Sequence, residues 1–278
     1  MHDSPLVTVI CSCYNHQQFV CESIQSVLNH SYKNIQIIVI DDKSSDNSVA
    51  IIEQFIINKP EILFIKNNTN LGLTRSVTNS LKFVKGDYFI DLAADDILLP
   101  NCIATQINTF QKSSFNKLAM VYGNAELILE SGEHSSYYFE VTDSLKTKKQ
   151  IPSGDIYINI IDMNTTICSV SAMYNKFIFD ELRGDDTSLS YEDLDYWIRA
   201  SRNYNIEFVD EILIQKRILP SSLQTTLYTT NNKNSHSTYT ILRKAYQLNK
   251  NKDEHNALSS RVNFEILNSY HTKNYLLM

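Results

Sequence analysis

Along the first third of the chain, short apolar runs alternate with longer stretches in which apolar residues recur every three or four positions. Val7 to Cys11 predicts a strand, Gln18 to Leu28 a helix and Ile35 to Ile40 a second strand, a βαβ opening. Asp46 can cap a helix over Ser48 to Ile57, Ile62 to Ile65 predicts a third strand, Thr74 to Val84 carries a helical period, and Tyr88 to Leu92 predicts a fourth strand. Strands interleaved with helices predict an α/β fold with a doubly wound, mostly parallel central sheet. Ligands of such sheets bind beyond the carboxyl ends of the strands. Those ends read Ser12-Cys13-Tyr14-Asn15, Asp41-Asp42-Lys43-Ser44 and Ala94-Asp95-Asp96, three polar segments expected to converge on one crevice.

From Pro100 the pattern changes. A helix is predicted to Gln111 and a strand over Leu118 to Tyr122, with Glu130 to Gly154 a loop or irregular hairpin. An acidic helix is predicted over Tyr191 to Arg202 and a strand over Ile206 to Val209, and the polar stretch Pro220 to Ser237 has the composition of a lid or linker. The last part of the chain is helical in pattern, with Leu258, Val262, Ile266 and Tyr270 at i, i+4 spacing beside Arg243, Lys244, Lys250 and Lys252. That stripe is expected to pack on the main domain, the alternatives being a contact with a membrane surface or with a second copy in a homodimer.

Composition narrows the class. The 278 residues are 43% hydrophobic and 20% charged, with only six glycines and five prolines, which is the make-up of a folded globular protein. A formal net charge of -6 argues against a nucleic-acid partner, since phosphate binding needs a basic surface. Five cysteines, mostly within apolar runs, suit free thiols in a reducing, cytoplasmic compartment. The Cys11, Cys13 pair lacks the further ligands of a zinc site. The first apolar run is only strand length, so no secretory leader is expected, and any membrane association would be peripheral, at the inner face.

Three acidic pairs carry the candidate chemistry. Adjacent carboxylates after a strand repel one another, so Asp95-Asp96 points to a divalent cation such as Mn²⁺ or Mg²⁺, which takes one or two carboxylates and completes its shell with water and phosphate oxygens. As a bare dipeptide the same pair reads first as a cap of the following turn. Asp42 can accept the ring N–H of a base or the hydroxyls of a ribose, or again serve a turn. Glu192-Asp193 begins a helix bearing Leu194, Trp197 and Ile198, where a carboxylate either caps the helix or acts as a general base toward a sugar hydroxyl.

Taken in order, these segments resemble the family 2 glycosyltransferases of GT-A fold. Pro5 to Asn15 is similar to the family's first strand and nucleotide-contacting loop, and Ser26 to Asp46 to its second βαβ element with Asp-Asp-x-Ser. Asn70-Leu-Gly-Leu73, Gly86 to Ile90, Asp95-Asp96 and Glu192 to Arg199 follow in the expected order. The resemblance covers residues 5 to 222. It implies a GT-A domain over 1-222, with a nucleotide-binding half at 1-115 and an acceptor-binding half at 116-222, followed by a lid and helical extension at 223-278.

The resemblance further implies an inverting transferase that moves a sugar from a nucleotide-diphosphate donor, UDP-sugar above others, to a saccharide or lipid-linked saccharide of a bacterial surface polysaccharide, capsule or lipopolysaccharide. Ser12, Tyr14, Asn15, Asp42 and Asp95 would bind the nucleotide, and Asp96, with Asp95 beside it, the metal. Asp193 would be the general base, with Glu192, Trp197 and Arg217 on the sugar and acceptor side. Two departures stand out: Ala93 replaces the first aspartate of the family's Asp-x-Asp, and Leu219 the histidine of its late Tyr-Arg-x-His loop. A shell this thin predicts weak metal affinity until the diphosphate joins it. Those departures motivate the alternative, a nucleotide-sugar or glycan-binding domain without catalysis. A nucleotidyltransferase would need a Gly-rich, basic phosphate loop near the first strand, which is missing.

Overall fold

A computed structural model describes residues 4–219 and 233–274. The expected sheet is present and its order explains where the polar strand ends go. Strands β1 (Val7–Cys13), β2 (Ile35–Asp41), β3 (Leu63–Lys66) and β4 (Tyr88–Ala93) pair in parallel in the order β3-β2-β1-β4. Helices α1 (Val20–Leu28), α2 (Ser48–Ile56) and α3 (Leu73–Ser80) make the crossovers. β1 lies between two partners and every one of its residues is buried, which is why its sequence is a nearly unbroken apolar run. Its polar residue in the buried middle, Thr8, is satisfied internally: the hydroxyl donates to Gln36 Oε1 at 2.7 Å and accepts the Gly86 N–H at 3.0 Å. α1 buries Val20, Ser23, Ile24 and Val27, the i, i+3, i+4, i+7 face of an amphipathic helix.

The second half extends the same sheet. The order continues β8 (Met173–Asn175), β6 (Leu118–Ile128), β9 (Asn205–Arg217) and β5 (Ile97–Leu98), while β7 (His134–Tyr137) pairs with β6 outside that path. β8 runs antiparallel to both β4 and β6 and stitches the two halves into one nine-stranded sheet. Helices α4 (Cys102–Lys112), α5 (Tyr157–Ile161), α6 (Lys176–Glu181) and α7 (Asp193–Ser201) flank it.

Several boundaries differ from the sequence expectation, each for a physical reason. β6 and β9 are far longer than the predicted 118–122 and 206–209, because they pair with each other through three register irregularities that break the alternation on which a strand is read. The helical pattern of Thr74 to Val84 ends at Ser80, and Leu81–Phe83 tighten into a 3₁₀ turn. Within the expected irregular hairpin, β6 turns back into β7 at Gly132, whose φ of +88° suits a residue without a side chain.

The chain ends in α8 (Lys233–Leu248) and α9 (Lys252–His271); residues 220–232 of the expected lid lie outside the described residues. These helices dock through Ile241, Leu242, Ala245 and Leu258, which join the hydrophobic core, and through polar anchors around them. Lys244 reaches Asp195 at 2.7 Å and Asp186 at 2.6 Å, Arg202 pairs with Glu254 at 2.9 Å, and the Tyr157 hydroxyl donates to Asn249 Oδ1 at 2.7 Å. The predicted apolar stripe is buried at Leu258, but Tyr270 is exposed. An i, i+4 row advances about 40° around the helix at each step, so a straight contact cannot follow it. Among the described residues no helix is long and apolar enough to cross a membrane.

Gly86, at the turn into β4, tests the tightness of this frame. A Cβ there would sit 2.6 Å from the Tyr88 carbonyl oxygen and 2.7 Å from the Thr8 nitrogen, both backbone. Gly86→Ala is expected to cost about 1–3 kcal/mol, read as a lower urea midpoint at unchanged slope.

Candidate active site

Three parallel strands deliver their polar ends to one edge. Ser12 aligns with Ile40 on one side and Ala93 on the other, and Cys13 with Asp41. A cleft of two adjoining lobes opens above this edge. The smaller, about 850 Å³, is lined by Ser12, Tyr14, Asn15, Asp42, Asp95, Asp96 and Arg217 among others. The larger, about 1190 Å³, is lined by Glu192, Asp193 and Trp197. Ser12, Gly72, Leu73, Ala93, Val170 and Lys216 line both.

In the smaller lobe the paired acids at the end of β2 divide their work. Asp41 folds the next turn, accepting from the Ser44 N–H at 2.9 Å and its hydroxyl at 2.6 Å. Asp42 reaches across to the segment before α3. Its Oδ1 accepts from Asn67 Nδ2 and the Leu71 N–H, both at 2.9 Å, and its Oδ2 accepts from the Gly72 N–H at 2.8 Å. One lone pair on Oδ2 is left for a ligand in the lobe. Asn15 takes a left-handed conformation, φ +59°, and its Oδ1 accepts the Ser45 N–H at 2.7 Å, so the loops after β1 and β2 brace each other. Asp46 joins them, accepting the Ser48 N–H of α2 at 2.9 Å and the Gln17 N–H at 3.1 Å.

The Asp95-Asp96 turn is held from behind by Arg217. The Arg217 backbone N–H donates to Asp96 Oδ1 at 2.9 Å and its Nε to the Asp95 carbonyl at 3.1 Å. The rest of that guanidinium goes to the Leu129 and Glu130 carbonyls and to Glu22, and it lies over the Phe19 ring. Arg217 is therefore fully committed to protein partners. Asp96 is only 2% exposed, and burial together with the Asp95 charge pushes its carboxyl up to about 8. Asp95 lies 3.6 Å from His16 Nδ1. A buried carboxylate beside a second carboxylate fits a hard cation whose other ligands come from phosphate and water. No group of three or more His, Cys, Asp or Glu able to hold a metal occurs among the described residues.

In the larger lobe Asp193 is the first residue of α7, and its Oδ1 accepts the Leu194 N–H at 2.7 Å. Burial holds its carboxyl above the ordinary range against that bond, the Ser169 side chain and the Lys216 charge. Glu192 is raised by burial and by Asp193, while the Thr74 hydroxyl opposes the shift. Trp197 is buried, with an indole N–H that has no acceptor among the described residues.

Sequence reasoning passed over two residues here. Asp91 stands two positions before Ala93 and so on the same face of β4; it lines the larger lobe and accepts from Ser12 Oγ at 3.3 Å. A charge inside the apolar run Tyr88 to Leu92 was its signal. Lys216 lies between the lobes, and its charge lowers the pKa of both Asp96 and Asp193. It could be found only once β9 was known to reach the cleft.

Comparison with known proteins follows this geometry. The model of the family described as "Glycosyl transferase family 2" matches residues 8–183. An uncharacterized glycosyltransferase of Rickettsia typhi is 33% identical over 217 residues, 77% of this chain and 64% of its own length. The putative glycosyltransferase EpsE of Bacillus subtilis is 27% identical over 74% of this chain and 72% of its own. The chain thus spans somewhat under two thirds of the Rickettsia relative. Among solved structures, residues 1–349 of S. aureus TarS in complex with UDP-GlcNAc align with a TM-score of 0.70 at 16% identity, covering 95% of this chain and 75% of that one. The mannosyltransferase PcManGT from Pyrobaculum calidifontis, in complex with GDP-Man and Mn²⁺, gives 0.65 at 12% identity, covering 97% and 72%. The shared fold is GT-A, as the motif order implied.

The buried acids make stability depend on pH. Burial and Glu192 push Asp91 up to about 7, and burial, Glu192 and Asp91 push Asp185 up to about 8. An acid that binds its proton more tightly folded than unfolded favours the fold below its ordinary pKa, and that advantage is lost as pH rises through the folded value. Melting temperature without ligand is therefore expected to fall between about pH 4 and pH 8, and Asp91→Asn or Asp185→Asn to flatten the decline. A melting temperature that rises across this interval would contradict the assignment.

Proposed function

The chain belongs to glycosyl transferase family 2, and on that premise we propose that it transfers a sugar from a nucleotide-diphosphate donor to a saccharide or lipid-linked saccharide acceptor, with inversion. The observation that carries this reading is the single two-lobed cleft. The residues of the nucleotide motifs line one lobe, the Glu192-Asp193 pair lines the other, and Ser12, Ala93 and Lys216 lie where they meet. A uridine donor is favoured because the TarS fragment of like fold was solved with UDP-GlcNAc and also with UDP.

Each residue then has a task its surroundings suit. Asp42 receives the base through its remaining lone pair, while Ser12, Tyr14, Asn15 and Asp95 surround the nucleoside. Asp96, with Asp95 beside it, holds Mn²⁺ or Mg²⁺, which when bound offsets the negative charge of the diphosphate. Asp193 takes the proton from the acceptor hydroxyl, whose oxygen attacks the anomeric carbon as the bond to the diphosphate breaks. Inversion follows because one displacement occurs and no covalent sugar-enzyme species forms. Glu192 and Trp197 shape the sugar side of the larger lobe, and Arg217 acts through the Asp95-Asp96 turn it secures. Assembly of a surface polysaccharide, at the inner face of the membrane, is the setting this activity suits.

Asp193→Asn is expected to lower turnover by on the order of 10² to 10⁴ while leaving UDP affinity by calorimetry close to wild type. A variant retaining wild-type turnover would remove Asp193 as the base. Because its carboxyl is held above the ordinary range, the rate should fall with decreasing pH at a higher pH than a free carboxylate would dictate. Asp96→Asn should abolish the strengthening of UDP binding by Mn²⁺, whereas UDP binding that never responds to metal and never leads to donor cleavage would favour a binding domain.

A further inference from the structure

We propose that Thr74 is a positioning residue for the reaction, a latch whose hydroxyl holds Glu192 in place beside Asp193. The inference rests on the reading of Asp193 as the base. Thr74 lies in the first turn of α3, far in sequence from Glu192, yet its Oγ1 donates to Glu192 Oε2 at 2.5 Å. The neighbouring Arg75 donates from Nε to the Thr187 carbonyl at 3.3 Å, so the same helical turn also grips the segment leading into α7. Thr74 and Arg75 both line the larger lobe with Glu192 and Asp193.

The latch has an anchor at its other end. α3 is entered through Gly72, whose φ of +82° lets the chain turn sharply, and the Gly72 N–H is one of the donors held by Asp42. Thus only Leu73 separates the backbone fixed by Asp42, in the nucleotide lobe, from the residue whose hydroxyl fixes Glu192, in the other. A shift of the Leu71-Gly72 segment moves Thr74 with it.

The charges around Glu192 explain why it needs such a partner. Asp193 adjoins it on the chain and raises its carboxyl, while Asp91 on β4 and Asp185 in the loop after α6 are in turn raised by the charge of Glu192. Arg75 from α3, Lys216 from β9 and Arg261 from α9 bring positive charge to the lobe, which His236 of α8 and a further acid, Glu265 of α9, also line. Burial and Asp193 favour the protonated form of Glu192, and the Thr74 hydroxyl, donating to a carboxylate, favours the ionised one. An ionised Glu192 disfavours a second negative charge on Asp193 and so increases its affinity for the acceptor's proton. Removing the hydroxyl should raise the Glu192 carboxyl further and so weaken the base.

The test is a carboxyl ¹³C NMR titration of the full chain labelled at glutamate, with Glu192 assigned by the loss of its resonance in Glu192→Gln. Thr74→Val, which keeps the shape and loses the hydroxyl, is expected to raise the Glu192 midpoint by roughly one to two units, and Thr74→Ser to return it to the wild-type value. In turnover, Thr74→Val should lose on the order of tenfold to a hundredfold in kcat with donor KM unchanged and with the acid limb moved to lower pH, again restored by Thr74→Ser. An unchanged Glu192 midpoint in Thr74→Val, or a Thr74→Ser protein as altered as Thr74→Val, would overturn the latch. Asp193→Asn assayed in parallel separates the two readings: full turnover there overturns the base and leaves the titration standing, since the titration needs no substrate.

Discussion

The architecture depends on the parallel pairing of β1 with both β2 and β4. Parallel strands end at the same edge, so a polar residue placed just after each apolar run arrives beside the others without further guidance. β1 itself can be wholly buried because it has partners on both sides and helices above and below. The cleft then follows from the constraint that none of these polar ends can be taken back into the core. What varies is how each is satisfied: Asp41 within its own turn, Asp42 by the segment entering α3, and the Asp95-Asp96 turn by Arg217 from the far end of β9.

Neither lobe is finished by the first half of the chain alone. β9 reaches the cleft only because it pairs along most of its length with β6, and this long ladder sets Lys216 and Arg217 beside the end of β4. The acids there are held in a state they would not choose in water. Asp91, Asp96 and Asp185 all retain their protons to higher pH than exposed carboxylates, because burial and mutual repulsion disfavour the charged forms. An active region that is electrostatically uncomfortable when empty favours ligands that bring cations or hydrogen-bond donors with them.

Much of this was legible in the sequence. The four parallel strands and their helices appear as apolar runs of the right length, and the residues at their ends were singled out because the topology demands it. Glu192 and Asp193 were visible as an acidic pair opening an apolar helical stripe. The second half was harder to read. β6 carries Asn124 and Glu126 within the strand and β9 carries Glu207, Asp210 and Glu211, so neither shows the alternation of a half-buried strand. β5, β8 and α5 are too short for periodicity to register, since tertiary pairing and not local preference forms them. Asp91 was hidden by lying inside a correctly recognised strand. Thr74 was hidden because nothing in one dimension relates it to Glu192.

The docking of α8 and α9 has a consequence for how such a chain can diversify. These helices lie beyond residue 183, where the match to the family ends, yet His236, Thr240, Arg261 and Glu265 line the larger lobe. They are fastened by a short apolar seam at Ile241, Leu242, Ala245 and Leu258 and by polar anchors, chiefly Lys244 and Arg202, and the smaller lobe is lined by none of their residues. One wall of the larger chamber can thus drift, or be exchanged for another tail, while the smaller lobe stays under its own separate constraints. Inheritance can rewrite half of the recognition surface and leave the other half untouched.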